Sequence, residues 1–326
     1  MKTASTRHQY DLPHRGDKLF ITDGGLETTF IFQKDFDLPL FAAFHLLNSR
    51  AGIEGLRSYY FSYIDIALRN RLGVILDTPT WRASTGWGEQ LGYSAQEIRR
   101  YNELSVSLLE ELRDKYASAD APMIINGAIG PQDDGYNPAA LLSIDEAVHY
   151  HTHQVEALAE AGVDMLTAVT MTYAEEAIGI TRAARAAEIP VAVSFTVETD
   201  GRLPNGMSLE DAILAVDAAT GSAPEYYMIN CAHPSHFDHV LQGEANWTDR
   251  IYGIRANASC KSHAELDEAV ELDEGNPAEF GRSYAVLNRR LKNLRVVGGC
   301  CGTDHRHIGE VCRSVLNMDP HPSRAA

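Results

Sequence analysis

The run Leu294-Arg295-Val296-Val297-Gly298-Gly299-Cys300-Cys301-Gly302-Thr303 is a short apolar strand that ends in two glycines and two adjacent cysteines, with a polar helix beginning near Asp304. Such an ending puts reactive groups at the mouth of a sheet or barrel. Adjacent cysteines are poorly placed to bond to each other, because a vicinal disulfide closes a strained ring, and well placed to give two thiolates to one metal. A third thiolate stands at Cys231, where the apolar run Tyr226-Tyr227-Met228-Ile229-Asn230 ends. Together the three read as a zinc site with its fourth position open. The competing readings are a structural zinc or simply buried cysteines, since free cysteine is among the most buried residue types. His233, two residues after Cys231, and His305 and His307 after the cysteine pair are alternative fourth ligands, the last two on a helix where solvent exposure is the expected role. Cys312, mid-helix at core-like spacing, and Cys260 are assigned as non-ligands.

Working outward from this strand, seven further apolar runs of strand length precede it: Leu19–Thr22, Val74–Leu76, Pro122–Asn126, Val163–Ala168, Pro190–Phe195, Tyr226–Asn230 and Arg250–Ala256. Helical patterns alternate with them, near Gly55–Arg71, Ala95–Tyr116, Ser143–Ala161, Ala174–Ala187, from Ser208, and near Phe280–Lys292. Ser143 with Glu146 three residues on has the form of a capping box. Eight strand runs alternating with helices, with no break in composition, predict a single (β/α)8 barrel rather than an open doubly wound sheet. The barrel is expected to occupy 1–326 as one unit, with 1–17 a loosely ordered polar lead-in, 30–52 a lid-like loop leading into a helix, whose aromatic part 30–47 either covers the site or packs against a partner subunit, and 261–279 a solvated excursion. The unusual residues Asp23, Asp77, Asn126, Asn230, Cys231, Asn257, Cys300 and Cys301 fall at strand ends. In a barrel of this kind the site lies at the C-terminal face of the strands.

Composition narrows the function. A net charge of −17 without a Lys/Arg-rich run argues against nucleic acid or an anionic membrane surface as partner. No apolar stretch approaches the length of a membrane span, and the N-terminal residues lack the apolar core of an export signal. Five cysteines, an odd number, read as metal or catalytic thiols in a reducing compartment rather than a disulfide framework. A cytoplasmic enzyme is expected, with a homo-oligomer left open.

Four motifs in order, Ile21-Thr22-Asp23-Gly24-Gly25-Leu26-Glu27-Thr28, Asn126-Gly127-Ala128-Ile129-Gly130-Pro131, Asn230-Cys231 and Gly298-Gly299-Cys300-Cys301-Gly302-Thr303, resemble those of the zinc-dependent homocysteine S-methyltransferases. That family includes S-methylmethionine-dependent and betaine-dependent enzymes and the homocysteine module of methionine synthase. The resemblance implies a (β/α)8 barrel whose Zn2+, on Cys231, Cys300 and Cys301, activates a thiol for methylation. Three thiolates make zinc a weak acid toward water, yet it lowers the pKa of a bound thiol below the free value of about 8.5 and leaves it electron-rich. By the same resemblance Asp23, Gly24, Gly25 and Thr78 border the thiol substrate, Asp23 offering a carboxylate to its amino group. The backbone of Ala128 and Ile129 meets a substrate carboxylate, and Asn230 orients the neighbouring ligand.

Two positions depart from the family pattern. Its members carry a glutamate at the end of strand four that holds the homocysteine ammonium; this chain has Val169 there, with Thr170, Thr172 and Glu175 as nearby polar substitutes. After strand two, Arg82 stands beside Trp81. An arginine suits a carboxylate, whereas an onium centre suits Trp81, Trp87 or Tyr93 through cation–π attraction. The expected activity is methyl transfer from an onium donor to homocysteine, giving methionine. S-methylmethionine is the first donor, with betaine or S-adenosylmethionine, or another thiol acceptor, as alternatives. A barrel that has lost catalysis and binds zinc or thiols as a regulator is the alternative of another class.

Overall fold

The computed structural model describes residues 12–136, 138–242 and 246–317. Eight parallel strands close into a barrel: β1 (Phe20–Ile21), β2 (Gly73–Asp77), β3 (Met123–Ile129), β4 (Met165–Met171), β5 (Val191–Phe195), β6 (Tyr227–Asn230), β7 (Ile251–Ala256) and β8 (Val296–Gly299). Closure is made by β8 against β1, with Phe20 opposite Val296 and Ile21 opposite Val297. The helices are α1 (Leu26–Thr28), α2 (Arg50–Asn70), α3 (Thr85–Gln90), α4 (Ala95–Tyr116), α5 (Ile144–Ala161), α6 (Ala174–Ala186), α7 (Leu209–Thr220), α8 (Pro234–Phe237), α9 (His263–Asp267), α10 (Pro277–Arg290) and α11 (His305–Leu316). The (β/α)8 barrel expected from the sequence is the fold observed.

The period-2 alternation of a strand sorts side chains between two cores. Val74, Leu76, Met123, Ile125, Ile129, Leu166, Tyr227, Ile229, Ile254 and Val297 face outward into the layer between sheet and helices. Phe20, Ile75, Ile124, Met165, Tyr226, Met228 and Val296 face inward and fill the barrel floor, joined there by Leu12. The next inward positions on β2, β3 and β4 are Asp77, Asn126 and Thr167, joined by Arg255 from β7, so a polar layer lies directly above the apolar floor. Asn126 Nδ2 donates to Asp77 Oδ1 at 2.7 Å, and the Thr167 hydroxyl donates to Asn126 Oδ1 at 3.0 Å.

Helix ends follow local chemistry. Ser143 and Glu146 make the anticipated capping box on α5, and Ser94 with Glu97 makes another on α4. Each satisfies two otherwise orphaned backbone donors. The helix expected from Gly55 begins earlier, at Arg50, because the Ser49 hydroxyl accepts from the Gly52 N–H at 2.9 Å. Of the expected lead-in, 1–11 lie outside the described residues; Leu12 and Pro13 are buried against the barrel floor rather than loose. The excursion at 261–279 is also more structured than its charge suggested. It carries α9, whose His263 is buried under the cysteine turn. Among the described residues no helix is long and apolar enough to cross a membrane.

Candidate metal centre and substrate pocket

The inward alternation of β8 continues past the strand end to Cys300, whereas alternation along β6 alone would leave Cys231 on the outward side with Tyr227 and Ile229; a left-handed backbone at Cys231 turns it to the barrel rim instead, with Cys301 beside the pair. The three sulfurs lie within 4.8 Å of one another. The sulfurs of Cys231 and Cys300 are in direct contact over a Cα separation of 5.4 Å, and Cys301 is free beside them. Four soft ligands about a zinc at a Zn–S distance of about 2.3 Å sit roughly 3.8 Å apart. Reduced, this donor set fits that ion.

Backbone contacts lock each cysteine. Cys231 sits at φ 54°, a left-handed conformation uncommon for a residue with a side chain, and is held there from both sides. Its N–H donates to Arg255 O at 3.1 Å, while its carbonyl accepts from Asn257 Nδ2 at 3.0 Å and His263 Nε2 at 2.8 Å. His263 in turn sets its Nδ1 2.9 Å from Glu198. The Cys300 N–H donates to Ala256 O, and the Cys300 carbonyl accepts from the Thr303 hydroxyl at 2.7 Å. Tyr136 stacks on His263 with ring centroids 3.9 Å apart and donates its hydroxyl to Cys301 Sγ at 3.5 Å. Burial pushes the Cys301 thiol up to about 11, with the Tyr136 hydroxyl acting against it.

Beneath the sulfurs lies a cavity of about 220 Å³. It is lined by Asp23, Gly24, Gly25, Thr78, Ala128, Asn230, Trp81 and Arg82 together with the three cysteines. Ile129 is not brought to it; alternation turns that residue outward into the helix-facing core. A Cβ on Gly24 would meet the Thr303 carbonyl at 2.6 Å, and one on Gly25 would meet the Thr28 hydroxyl and the Cys300 carbonyl, so both glycines are required where the chain passes the cysteine turn. Several groups are already engaged. The Thr78 hydroxyl accepts from the Ala128 N–H at 3.1 Å, and the Gly25 N–H donates to Thr303 O at 3.0 Å. Asn230 reaches Cys231 through an intermediary: its Nδ2 donates to the Thr170 hydroxyl at 2.8 Å, and that hydroxyl lies 3.9 Å from Cys231 Sγ.

Arg255, which the sequence reading passed over, decides the electrostatics. Projecting inward from β7, it bonds Asp77 and donates to Asp23 Oδ1 at 2.6 Å, while the Tyr59 hydroxyl donates to Asp23 Oδ2 at 3.0 Å. Asp23 is therefore an ion-pair partner rather than a carboxylate open to an amino group. Burial raises its pKa to about 7; Arg255 opposes the rise and Asp77 adds to it. The same surroundings hold Arg255 above its ordinary value despite burial. A charged residue inside the otherwise uncharged strand 251–256 was the signal available for it. On the opposite wall Arg82 lies over Trp87 at 4.0 Å and Trp81 at 4.8 Å, and donates to Leu40 O at 2.6 Å and Asp134 at 3.3 Å. Its Nε is buried without a hydrogen-bond partner among the described residues. Val169 gives the β4 wall an apolar face, and Glu175 is exposed on α6, away from the cavity. Neither ring that follows the cysteine pair, nor His233, joins the sulfurs: His233 caps α8, His305 is exposed, and His307 is fully buried against Asp304 and Glu274 O, which corrects the solvent-facing role expected for it.

A family model described as homocysteine S-methyltransferase matches residues 20–315, spanning β1 to the last turn of α11. The chain belongs to the homocysteine S-methyltransferase family. This methyltransferase is 29% identical over 241 residues to homocysteine S-methyltransferase YbgG of Bacillus subtilis, covering 68% of this chain and 72% of that one. It is 22% identical to homocysteine S-methyltransferase 1 of Arabidopsis thaliana, covering 90% and 93%. Among solved structures, the oxidized form of the homocysteine methyltransferase MmuM from Escherichia coli superposes with a TM-score of 0.71 at 20% identity, covering 92% of this chain and 99% of that one. Its metallated form gives 0.70 at 19%, covering 93% and 99%. At these identities the structures speak to the fold of the methyltransferase, a barrel like its own.

Proposed function

We propose that this methyltransferase moves a methyl group from an onium donor to the sulfur of homocysteine, giving methionine, at a zinc site formed by Cys231, Cys300 and Cys301. The convergence of three cysteine sulfurs at the mouth of the cavity carries the reading. A zinc ion held there would supply the positive charge that keeps an acceptor thiol ionised at neutral pH. The chain's own part is positioning. The backbone contacts on Cys231 and Cys300 fix the direction of the sulfurs, and the Tyr136 hydroxyl and the Thr170 relay from Asn230 steady Cys301 and Cys231. Gly24 and Gly25 let the chain pass close enough to form the acceptor wall. Across the cavity Trp81 offers its face to an onium centre, and Arg82, with Nε unpartnered, suits the carboxylate of the donor. In the transfer the acceptor sulfur forms a bond to carbon as the methyl–onium bond breaks, and the leaving group departs neutral. S-methylmethionine is the preferred donor, betaine and S-adenosylmethionine the alternatives. The reaction is expected in the cytoplasm on small molecules.

The deciding experiment compares reduced wild-type protein with Cys300→Ser, measuring zinc content and methionine formation from homocysteine with each of the three donors separately. About one zinc per chain, lost in the variant together with turnover, is the expected result. Zinc bound without methionine from any donor would discard this acceptor and donor set, and absence of zinc would discard the site.

A further inference from the structure

Five acids line the cavity: Asp23, Glu27, Asp77, Asp134 and Asp267. Asp23 and Asp77 are committed to Arg255, and Asp134 pairs with Arg82. Asp267 stands exposed at the mouth on α9. Glu27 is different, for its carboxylate makes no ion pair among the described residues, and its hydrogen bonding is to its own backbone N–H. Burial is the largest influence on it and raises its pKa, while Arg82 and Arg255 act from a distance in the other direction. An acid left in a cavity without a cation is costly unless a ligand supplies one.

The position of Glu27 selects which ligand group it meets. It belongs to α1, which is bound to the cysteine turn: the Gly25 N–H donates to Thr303 O, and the Gly302 N–H donates to the Thr28 hydroxyl at 3.2 Å. The charge of Glu27 is felt at Cys301. The side chain thus lines the cavity beside the cysteine turn, where a thiol acceptor would be anchored. The β4 wall, with Val169, brings no charge to the same space.

Resting on the function proposed above, we infer that Glu27 is the acceptor-recognition residue of this chain, its carboxylate receiving the ammonium group of an amino-acid thiol whose sulfur lies at the cysteine trio. The acceptor class is then an α-amino thiol rather than a simple mercaptan or mercaptocarboxylate.

The test titrates zinc-loaded wild-type, Glu27→Gln and Glu27→Asp proteins calorimetrically with homocysteine and with 4-mercaptobutanoate, which is homocysteine without its amino group. A charge-assisted hydrogen bond of roughly 1.5–3 kcal/mol predicts that wild type prefers homocysteine by about 10- to 150-fold. Glu27→Gln is expected to lose that preference while keeping its zinc and its affinity for 4-mercaptobutanoate, and Glu27→Asp to regain part of it. A preference that survives in Glu27→Gln, or no preference in wild type, overturns the inference. Preference lost on substitution but with no methyl transfer by wild type keeps Glu27 in this role and removes the proposed reaction; binding of neither thiol overturns both.

Discussion

Replacing Arg255 by Met keeps most of the side-chain volume and removes the charge that two buried carboxylates share. The side chains involved are 10% exposed for Arg255, 5% for Asp23 and 7% for Asp77, so solvent screening is slight and the buried regime applies. Breaking a buried pair by removing one partner costs about 3–5 kcal/mol. Here Asp23 keeps the Tyr59 hydroxyl and Asp77 keeps Asn126 Nδ2, which places Arg255→Met near the lower end, about 3 kcal/mol at pH 8. The sign with pH follows from the carboxyl groups. In wild type the Asp23 pKa already stands at about 7, above the unfolded value of about 3.9, so its contribution to stability falls as pH rises between the two. Without the guanidinium the Asp23 carboxyl is raised further, and the deficit of the variant grows with pH. Urea denaturation followed by tryptophan fluorescence at pH 5.5 and pH 8 measures it, and Arg255→Met with Asp77→Asn should recover part of the loss at pH 8. A deficit that is the same at both pH values, or no recovery in the double variant, would refute the claim that Arg255 acts by neutralising the layer.

Tyr136→Phe removes the hydroxyl donated to Cys301 Sγ, and a loss of about 1 kcal/mol lowers zinc affinity roughly fivefold in a chelator competition at neutral pH; unchanged affinity would count against the contact. Asp304, buried but hydrogen-bonded by His307 and Arg306, has its carboxyl held well below the usual range. Its contribution to stability is present above about pH 4 and drains away as pH falls below it. Asp304→Asn, which retains an N-cap for α11, should therefore show a shallower loss of stability between pH 5 and pH 3 than wild type, and equal slopes would contradict the assignment.

Strand ends were legible because apolar runs of the right length mark them, and at β1, β3, β6, β7 and β8 glycine, asparagine or cysteine stands at or just after the end of the run. That was enough to place Cys231, Cys300 and Cys301 on one rim, since parallel strands of a barrel share a single C-terminal face. Boundaries shifted where a cap outweighed the hydrophobic pattern, as at Ser49, and where charged surface hid a buried residue, as at His263 between Lys261 and Glu265. The family resemblance assigned Asp23 to the substrate, and nothing within its own stretch of sequence showed another partner for it. Its partner, Arg255, lies on β7, and hydrogen bonds across a barrel leave no trace in local spacing.

The order of strands, the alternation that separates floor from helix-facing core, and the three candidate cysteines are properties of the chain read alone, because periodicity and residue chemistry are local. The pairing of charges inside the barrel is not local. Which acid is spent on Arg255 and which stands open to a ligand depends on side chains from β1, β2, α1 and β7 meeting at distances that closure of the sheet alone sets. Asp23 and Glu27 are four residues apart in the sequence, and only the tertiary structure gives one a guanidinium and leaves the other facing the cavity.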